Sequence, residues 1–167
     1  TVVHPQLWPD DLDYSNKRVS VIGSGATAVT LIPAMADKAS HVTMVQRSPT
    51  YILSMPSKDR LANLLNRLMP AAWAYACTRW RNIRFQNYFY KQAIERPAKI
   101  RAYILKRLRK ALAPEIDVET HFTPSYDPWT QRLCLVPDSD LFHVLNSGKA
   151  SVITGTIARI TSDGIEM

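Results

Sequence analysis

Lys17 to Met35 reads KRVSVIGSGATAVTLIPAM, and this stretch decides the fold. Val19 to Ile22 is a short all-apolar run, which predicts a parallel strand covered on both faces. It enters Gly23-Ser24-Gly25-Ala26-Thr27-Ala28. Thr27 to Lys38 then carries Val29, Ile32, Met35 and Ala36 at helical spacing. Pro33 sits inside that pattern as a cost to the helix. His41 to Gln46, HVTMVQ, alternates and predicts a second strand. Strand, glycine turn, helix and strand together form one right-handed βαβ unit.

The turn makes definite physical demands. Gly23 permits a tight exit from the strand. Gly25 has no side chain, so a pyrophosphate can approach the backbone, and Ala28 is small where helix and strand must pack closely. The helix start supplies free N–H groups and a positive dipole end. Gly23, Ser24, Gly25, Ala26, Thr27 and Ala28 are therefore the candidate cofactor-binding turn. Its place after a strand and before a helix gives the pattern its weight.

The end of the second strand selects the nucleotide. An acid there, about 20 residues beyond the turn, would bind ribose hydroxyls. The sequence instead runs Gln46-Arg47-Ser48. An arginine fork pairs with a 2′-phosphate that an acid would repel. The expected ligand is NADPH, with Arg47 on the 2′-phosphate and Ser48 as a hydroxyl donor. An ordinary exposed arginine at the strand end is the bland alternative.

Outward from this unit the chain changes character twice. Residues 1–18 hold Pro5, Pro9, Asp10, Asp11 and Asp13 and read as a linker. The net charge of the 167 residues is +7, but it is unevenly spread. Lys58 to Lys110 holds 14 Lys/Arg against Asp59 and Glu95, while the remainder is net acidic. Within residues 57–115, helical spacing appears at Leu61–Leu68, Trp73–Ile94 and Ile100–Leu112, which predicts a basic helical insertion. Beyond it, Leu133–Val136 predicts a strand and Ser139–Asn146 a short helix stopped at Gly148. Ser151–Thr154 and Thr156–Thr161 read as strands, with Asp163-Gly164 as a turn. The fold class is α/β: a three-layer Rossmann-like NAD(P)-binding domain over residues 19–167, interrupted by the insertion.

Composition excludes several classes. No window approaches the length of an apolar membrane span, and TVVHPQLWPD is no secretory signal. Cys77 and Cys134 stand far apart and outside any metal spacing, which suits a reducing cytoplasm. His4, His41, His121 and His143 are scattered, so no metal site is expected.

The runs HPQLWPDDLDYSNKRVSVIGSGATAVTLIPAMA, HVTMVQRSPTYI and FTPSYDPWTQRLCLVPDSDLF resemble class B flavoprotein monooxygenases, and within them the Baeyer–Villiger group. His4, Trp8 and Pro9 fit the second half of that group's fingerprint, whose Phe and Gly would fall before Thr1. The resemblance implies an FAD domain in two sequence segments flanking an NADPH domain. The chain is then the NADPH domain of a longer protein, with its FAD partner domain in cis and outside this sequence. It further implies a parent that oxygenates ketones or sulfides with O2, using FAD and NADPH. The family's active-site arginine falls on Arg132, where a fixed cation stabilises the negative charge of the oxygenating species. Gln131 stands where a lysine is common, which leaves more of the 2′-phosphate to Arg47. A surface arginine paired with Asp138 or Asp140 is the bland reading of Arg132. Alternatives at the level of function are a flavin-containing monooxygenase acting on nitrogen or sulfur, and a non-catalytic NADPH-sensing or membrane-bound module.

The insertion interleaves its cations with Trp73, Tyr75, Trp80, Phe85, Tyr88, Phe89, Tyr90 and Tyr103. Its bland reading is the solvated faces of helices whose apolar sides pack on the domain. Peripheral membrane contact through residues 73–110 is the second reading. Nucleic-acid binding is the third and is not expected. His4 reads equally as a residue tuning domain motion or a solvated linker histidine, and Trp8 as packing the linker.

Overall fold

The computed structural model describes residues 1–162 and 164–167. The Asp163-Gly164 turn expectation therefore lies partly outside the described residues. Strand β1 (Arg18–Ile22) leads through the glycine turn into α1 (Ala26–Met35), which returns to β2 (His41–Gln46). β1 and β2 pair in parallel, Arg18 opposite His41 and Ile22 opposite Val45. The helix runs through Pro33 without breaking and ends at Met35, short of the expected Lys38.

The sheet is completed from the far end of the chain. β5 (Ala150–Thr154) adds to β2 in parallel, giving the order β1-β2-β5. A second parallel pair joins β3 (Tyr51–Met55) to β4 (Leu133–Pro137). α1 packs on β1, β2 and β4 and so bridges both sheets, while α6 (Asp140–Asn146) packs on α1, β4 and β5. Val29, Ile32, Val42, Met44, Ile52, Phe122, Val136 and Leu141 lie at 2% exposure or less in this shared core.

β1 departs from expectation. Its residues alternate between exposed and half-buried, so one face is covered and the other open. Val19 and Val21 turn to the core. Arg18, Ser20 and Ile22 turn outward, and Ile22 is 54% exposed. An all-apolar run predicts two covered faces, but β1 is an edge strand here, and only its α1-facing side is packed.

The insertion holds three helices: α2 (Arg60–Leu68), α3 (Ala71–Glu95) and α4 (Pro97–Ala111). Asp59 caps α2 by accepting from the Ala62 amide and also pairs with Arg81 of α3. Those two bonds hold the Asp59 carboxyl below the usual range, the Arg81 contact first. α4 buries Ile104, Leu105 and Leu108 and packs on β3. α2 buries nothing, and α3 buries only Ala74 and Ala93 across 25 residues.

Three elements were not expected: β3, α5 (Val118–Phe122) and β7 (Ile165–Glu166). β3 lies between Pro49 and Pro56 in a stretch that carries no alternation. α5 (Val118–Phe122) is a single capped turn, with Asp117 accepting from the Glu119 and Thr120 amides. Arg109 of α4 pairs with Glu119 and fastens that turn. The last expected strand shortens to β6 (Arg159–Ile160), antiparallel to β7 (Ile165–Glu166). The leading segment holds only a three-residue 3-10 turn, Pro5–Leu7, where His4 Nδ1 accepts from the Gln6 amide. Trp8 packs edge-to-face on Tyr14 at 6.1 Å, and Tyr14 rests on the core, as expected for Trp8.

Candidate nucleotide site

The glycine turn closes over the end of the sheet. The Gly23 amide donates to the Val45 carbonyl at 2.8 Å. Gly23 has φ +124°, a conformation that side chains resist. Gly25 is the N-cap of α1 and supplies no side-chain cap. The first helical N–H groups have no intrahelical acceptor. They are therefore offered, with the positive dipole end, to an external anion.

Ser24 ties this turn to the loop after β2. Its buried hydroxyl lies 2.9 Å from Thr50 Oγ1 and 3.3 Å from the Ser48 carbonyl, to which it donates. The side chain is thus committed inward, and whatever Ser24 offers a ligand is its backbone. The same bonds bring Ser48 and its neighbour Arg47 to the turn. Both are exposed. Among the described residues Arg47 has no ion-pair partner, and Asp and Glu are absent from residues 45–50.

Gln46 anchors the base of this loop. It is 2% exposed, and its amide donates to the His121 carbonyl at 2.7 Å and to Thr154 Oγ1 at 2.9 Å. Thr154 Oγ1 also lies 2.8 Å from His121 Nδ1. Which of the two donates in that contact follows from the imidazole tautomer, since the Thr154 hydroxyl can accept from Gln46 and still either give or take a proton. Sequence reasoning noted only the missing acid at this strand end. The buried amide explains what replaces it: Gln46 binds β2 to β5 and α5 from within.

Arg132 reaches the turn from 107 positions down the chain. A Cβ built on Gly25 would stand 3.1 Å from Arg132 Nη1, a tight contact that sets the guanidinium close against the turn. The Arg132 backbone is fixed in turn. Its carbonyl accepts from Tyr126 Oη at 2.8 Å, and the Tyr126 carbonyl accepts from Tyr51 Oη at 2.8 Å. The two tyrosine rings meet edge-to-face at 5.4 Å. One residue on, Cys134 Sγ contacts the Ser24 carbonyl at 3.8 Å. Burial pushes the Cys134 thiol up, and the Arg132 charge partly opposes it.

The pairing of Arg132 with Asp138 or Asp140 does not form. Asp138 accepts from the Ser57 amide at 3.0 Å and from the Ser57 hydroxyl, and Asp140 Oδ1 accepts from the Leu141 amide. Gln131 is exposed beside Arg132. The elements converge for a topological reason. The C-terminal ends of β1 and β2 meet the N-terminal ends of β3 and β4, and Ser24 touches all but β2 through its bonds to Ser48, Thr50 and Cys134. The Tyr51–Tyr126–Arg132 chain is the part that sequence reasoning missed. Its only local signal was an aromatic pair 75 residues apart.

Among the described residues no group of His, Cys, Asp and Glu could hold a metal ion, and no helix is long and apolar enough to cross a membrane. Charge and backbone at the turn suit an anionic ligand: uncapped amides, a glycine with a guanidinium close beside it, and a second cation on the adjoining loop with no carboxylate competing for it.

No protein-family model matches the chain. It is 50% identical over 167 residues to the FAD-containing monooxygenase EthA of Mycobacterium tuberculosis, covering 99% of this chain and 34% of that protein. It is also 50% identical over 166 residues to the probable FAD-binding monooxygenase AlmA of Acinetobacter baylyi, covering 99% of this chain and 33% of that protein. Among solved structures it is similar to OTEMO in complex with FAD and NADP, with TM-score 0.66, 17% identity, and coverage of 99% of this chain and 38% of that one. Oxidized steroid monooxygenase bound to NADP gives TM-score 0.66 and 18% identity over 95% of this chain and 37% of that one. The homologues of the chain are thus FAD-containing monooxygenases, and it spans about a third of their length. The α/β fold is the one expected.

Proposed function

We propose that the chain is the NADPH-binding domain of an FAD-dependent monooxygenase that oxygenates a small ketone or sulfide with O2. The observation that carries this reading is the convergence of two cation-bearing segments on one bare turn: Arg132 against Gly25, and the loop carrying Arg47 held through Ser48 and Thr50 to Ser24. Backbone amides at Gly25 to Ala28 hold the pyrophosphate. Arg47 takes the 2′-phosphate, with the Ser48 hydroxyl and the Gln131 amide as neutral donors. NADPH, when bound, supplies a hydride.

Arg132 carries the catalytic assignment. A guanidinium stays charged at any working pH, and its carbonyl tether to Tyr126 fixes where the chain presents it. A cation held beside the nucleotide can stabilise negative charge that develops during oxygenation. FAD belongs to the companion domain in cis. The relative named as an FAD-containing monooxygenase has about two thirds of its length outside the part this chain matches, which supports that assignment.

Calorimetric titration with NADPH, NADH and FAD tests the reading. NADPH is expected to bind, NADH more weakly, and FAD not at all. FAD binding in preference to NADPH would overturn it. In the full-length protein, Arg132→Ala is expected to keep flavin reduction and lose oxygenation; retained product would remove Arg132 from the chemistry.

The α2–α3 face supports a second element of the reading, a cytoplasmic protein with peripheral contact to anionic lipid. Trp73, Trp80 and Tyr88 are 65–70% exposed among Arg79, Arg81 and Arg84. The bland expectation required the apolar sides of these helices to pack on the domain, which α4 does, while α2 buries nothing and α3 only Ala74 and Ala93. Basic helices with exposed aromatics suit an anionic interface. Salt-sensitive pelleting with anionic vesicles is the expected result, and a domain that stays in the supernatant at low salt would refute it.

A further inference from the structure

The β3–β4 pair has a second end. Its N-terminal end meets the glycine turn through Thr50 and Cys134. Its C-terminal end lies roughly 13 Å away, at about 3.3 Å per residue from Thr50 to Ser54. A cleft of about 520 Å³ opens there, between the strand ends and α4. In open α/β sheets the carboxyl ends of parallel strands are where ligands bind.

The walls of this cleft differ in chemistry. On α4, Tyr103, Lys106, Arg107 and Lys110 fall at helical spacing on one face, beside the buried Ile104 and Leu108. On the strand side, Ser139 donates its hydroxyl to Ser54 Oγ at 2.7 Å. Arg107 is steadied by the Tyr103 hydroxyl at 2.8 Å and lies over its ring at 5.7 Å. Lys106 and Lys110 have no ion-pair partner among the described residues. Neighbouring Arg109, which points elsewhere, does have one in Glu119. The adjacent acid, Asp138, is engaged by Ser57.

We propose that this cleft is a second anion site, separate from the nucleotide turn, for the phosphate group of an organic phosphate. Three cations converge with no carboxylate lining the cleft, and a hydroxyl pair faces them. Lysines serve as point charges and Arg107, preorganised by Tyr103, as the fork. The phosphate could come from a soluble metabolite or from a lipid headgroup, since the recognising chemistry is shared. The site does not depend on what the glycine turn binds.

The test saturates the glycine turn with NADP+ and titrates the protein with inorganic pyrophosphate, and in a second arm with vesicles of phosphatidylcholine and phosphatidylglycerol. The variants are Lys106→Ala with Lys110→Ala, and a charge-matched control away from both the turn and the α2–α3 face, Lys38→Ala with Lys149→Ala. Pyrophosphate binding weakened at least tenfold in the first variant and not in the control supports the site with a soluble ligand. Vesicle binding lost in the first variant alone supports it with a headgroup. Amide shifts at Ser54 and Tyr103 on titration report the location directly. Binding that both variants weaken equally, or that neither changes, overturns the proposal.

Discussion

The βαβ unit and the α2–α3 hairpin use similar amounts of apolar residue to opposite effect. In the βαβ unit, Val29, Ile32, Val42 and Met44 all fall at 2% exposure or less. In the hairpin, Leu61, Leu64, Leu68, Trp73, Trp80 and Phe85 are all at least 45% exposed. Helical period is present in both. What separates them is whether a sheet stands opposite the apolar stripe. The βαβ unit derives its stability from that packing. The hairpin rests on α2–α3 contacts, the Asp59–Arg81 pair and a few small residues. Amphipathic spacing therefore identifies a helix without saying that its apolar face is buried.

The contrast can be broken by substitution, the largest effect first. Phe122→Ala removes a fully buried ring and should cost about 3–5 kcal/mol in chemical denaturation. Trp73→Ala on the hairpin should stay within about 0.5 kcal/mol in the same assay. Equal losses would mean that the hairpin packs in solution. Gly23→Ala meets no atom within 4 Å but must hold φ +124°. It should cost about 1–3 kcal/mol from backbone strain alone. Tyr126→Phe deletes the hydroxyl that holds the Arg132 carbonyl and should cost about 1 kcal/mol. Its sharper readout is binding, because Arg132 loses its tether: nucleotide affinity should fall while the melting temperature drops by only about 2–4 °C. A variant with unchanged affinity would show that the tyrosine chain is structural only.

Much of this was legible in the sequence, for reasons that differ by element. β1, the glycine turn, α1 and β2 are local in sequence, and their apolar periods and glycines suffice. β2 has the expected bounds, His41–Gln46. β3 was missed because Tyr51–Met55 is a short apolar run bounded by prolines, without alternation. α5 was missed because five residues cannot show a helical period, although Asp117 followed by Glu119 and Thr120 is a capping signal. The open face of β1 was misjudged because an edge strand and a central strand can share one apolar sequence.

The site divides the same way. Gly23 to Ala28 declare themselves by spacing, and Arg47 by standing where an acid would be. Arg132 is different. Its contact with Gly25 spans 107 residues, and no period or spacing links them. Only the resemblance of WTQRLCLVP to a flavoprotein family pointed there. The Gln46–Thr154–His121 network gave no signal at all, since a buried amide at a strand end looks like any polar residue in sequence.

The central claim is that a dinucleotide lies across the turn with its 2′-phosphate on Arg47. Parallel titrations of wild-type protein and Arg47→Ala with NADPH and NADH test it most directly. The expected result is a loss of NADPH affinity of about tenfold or more, the scale of one charge-assisted phosphate contact, with NADH affinity nearly unchanged. An equal loss for both nucleotides, or none for either, would contradict the account.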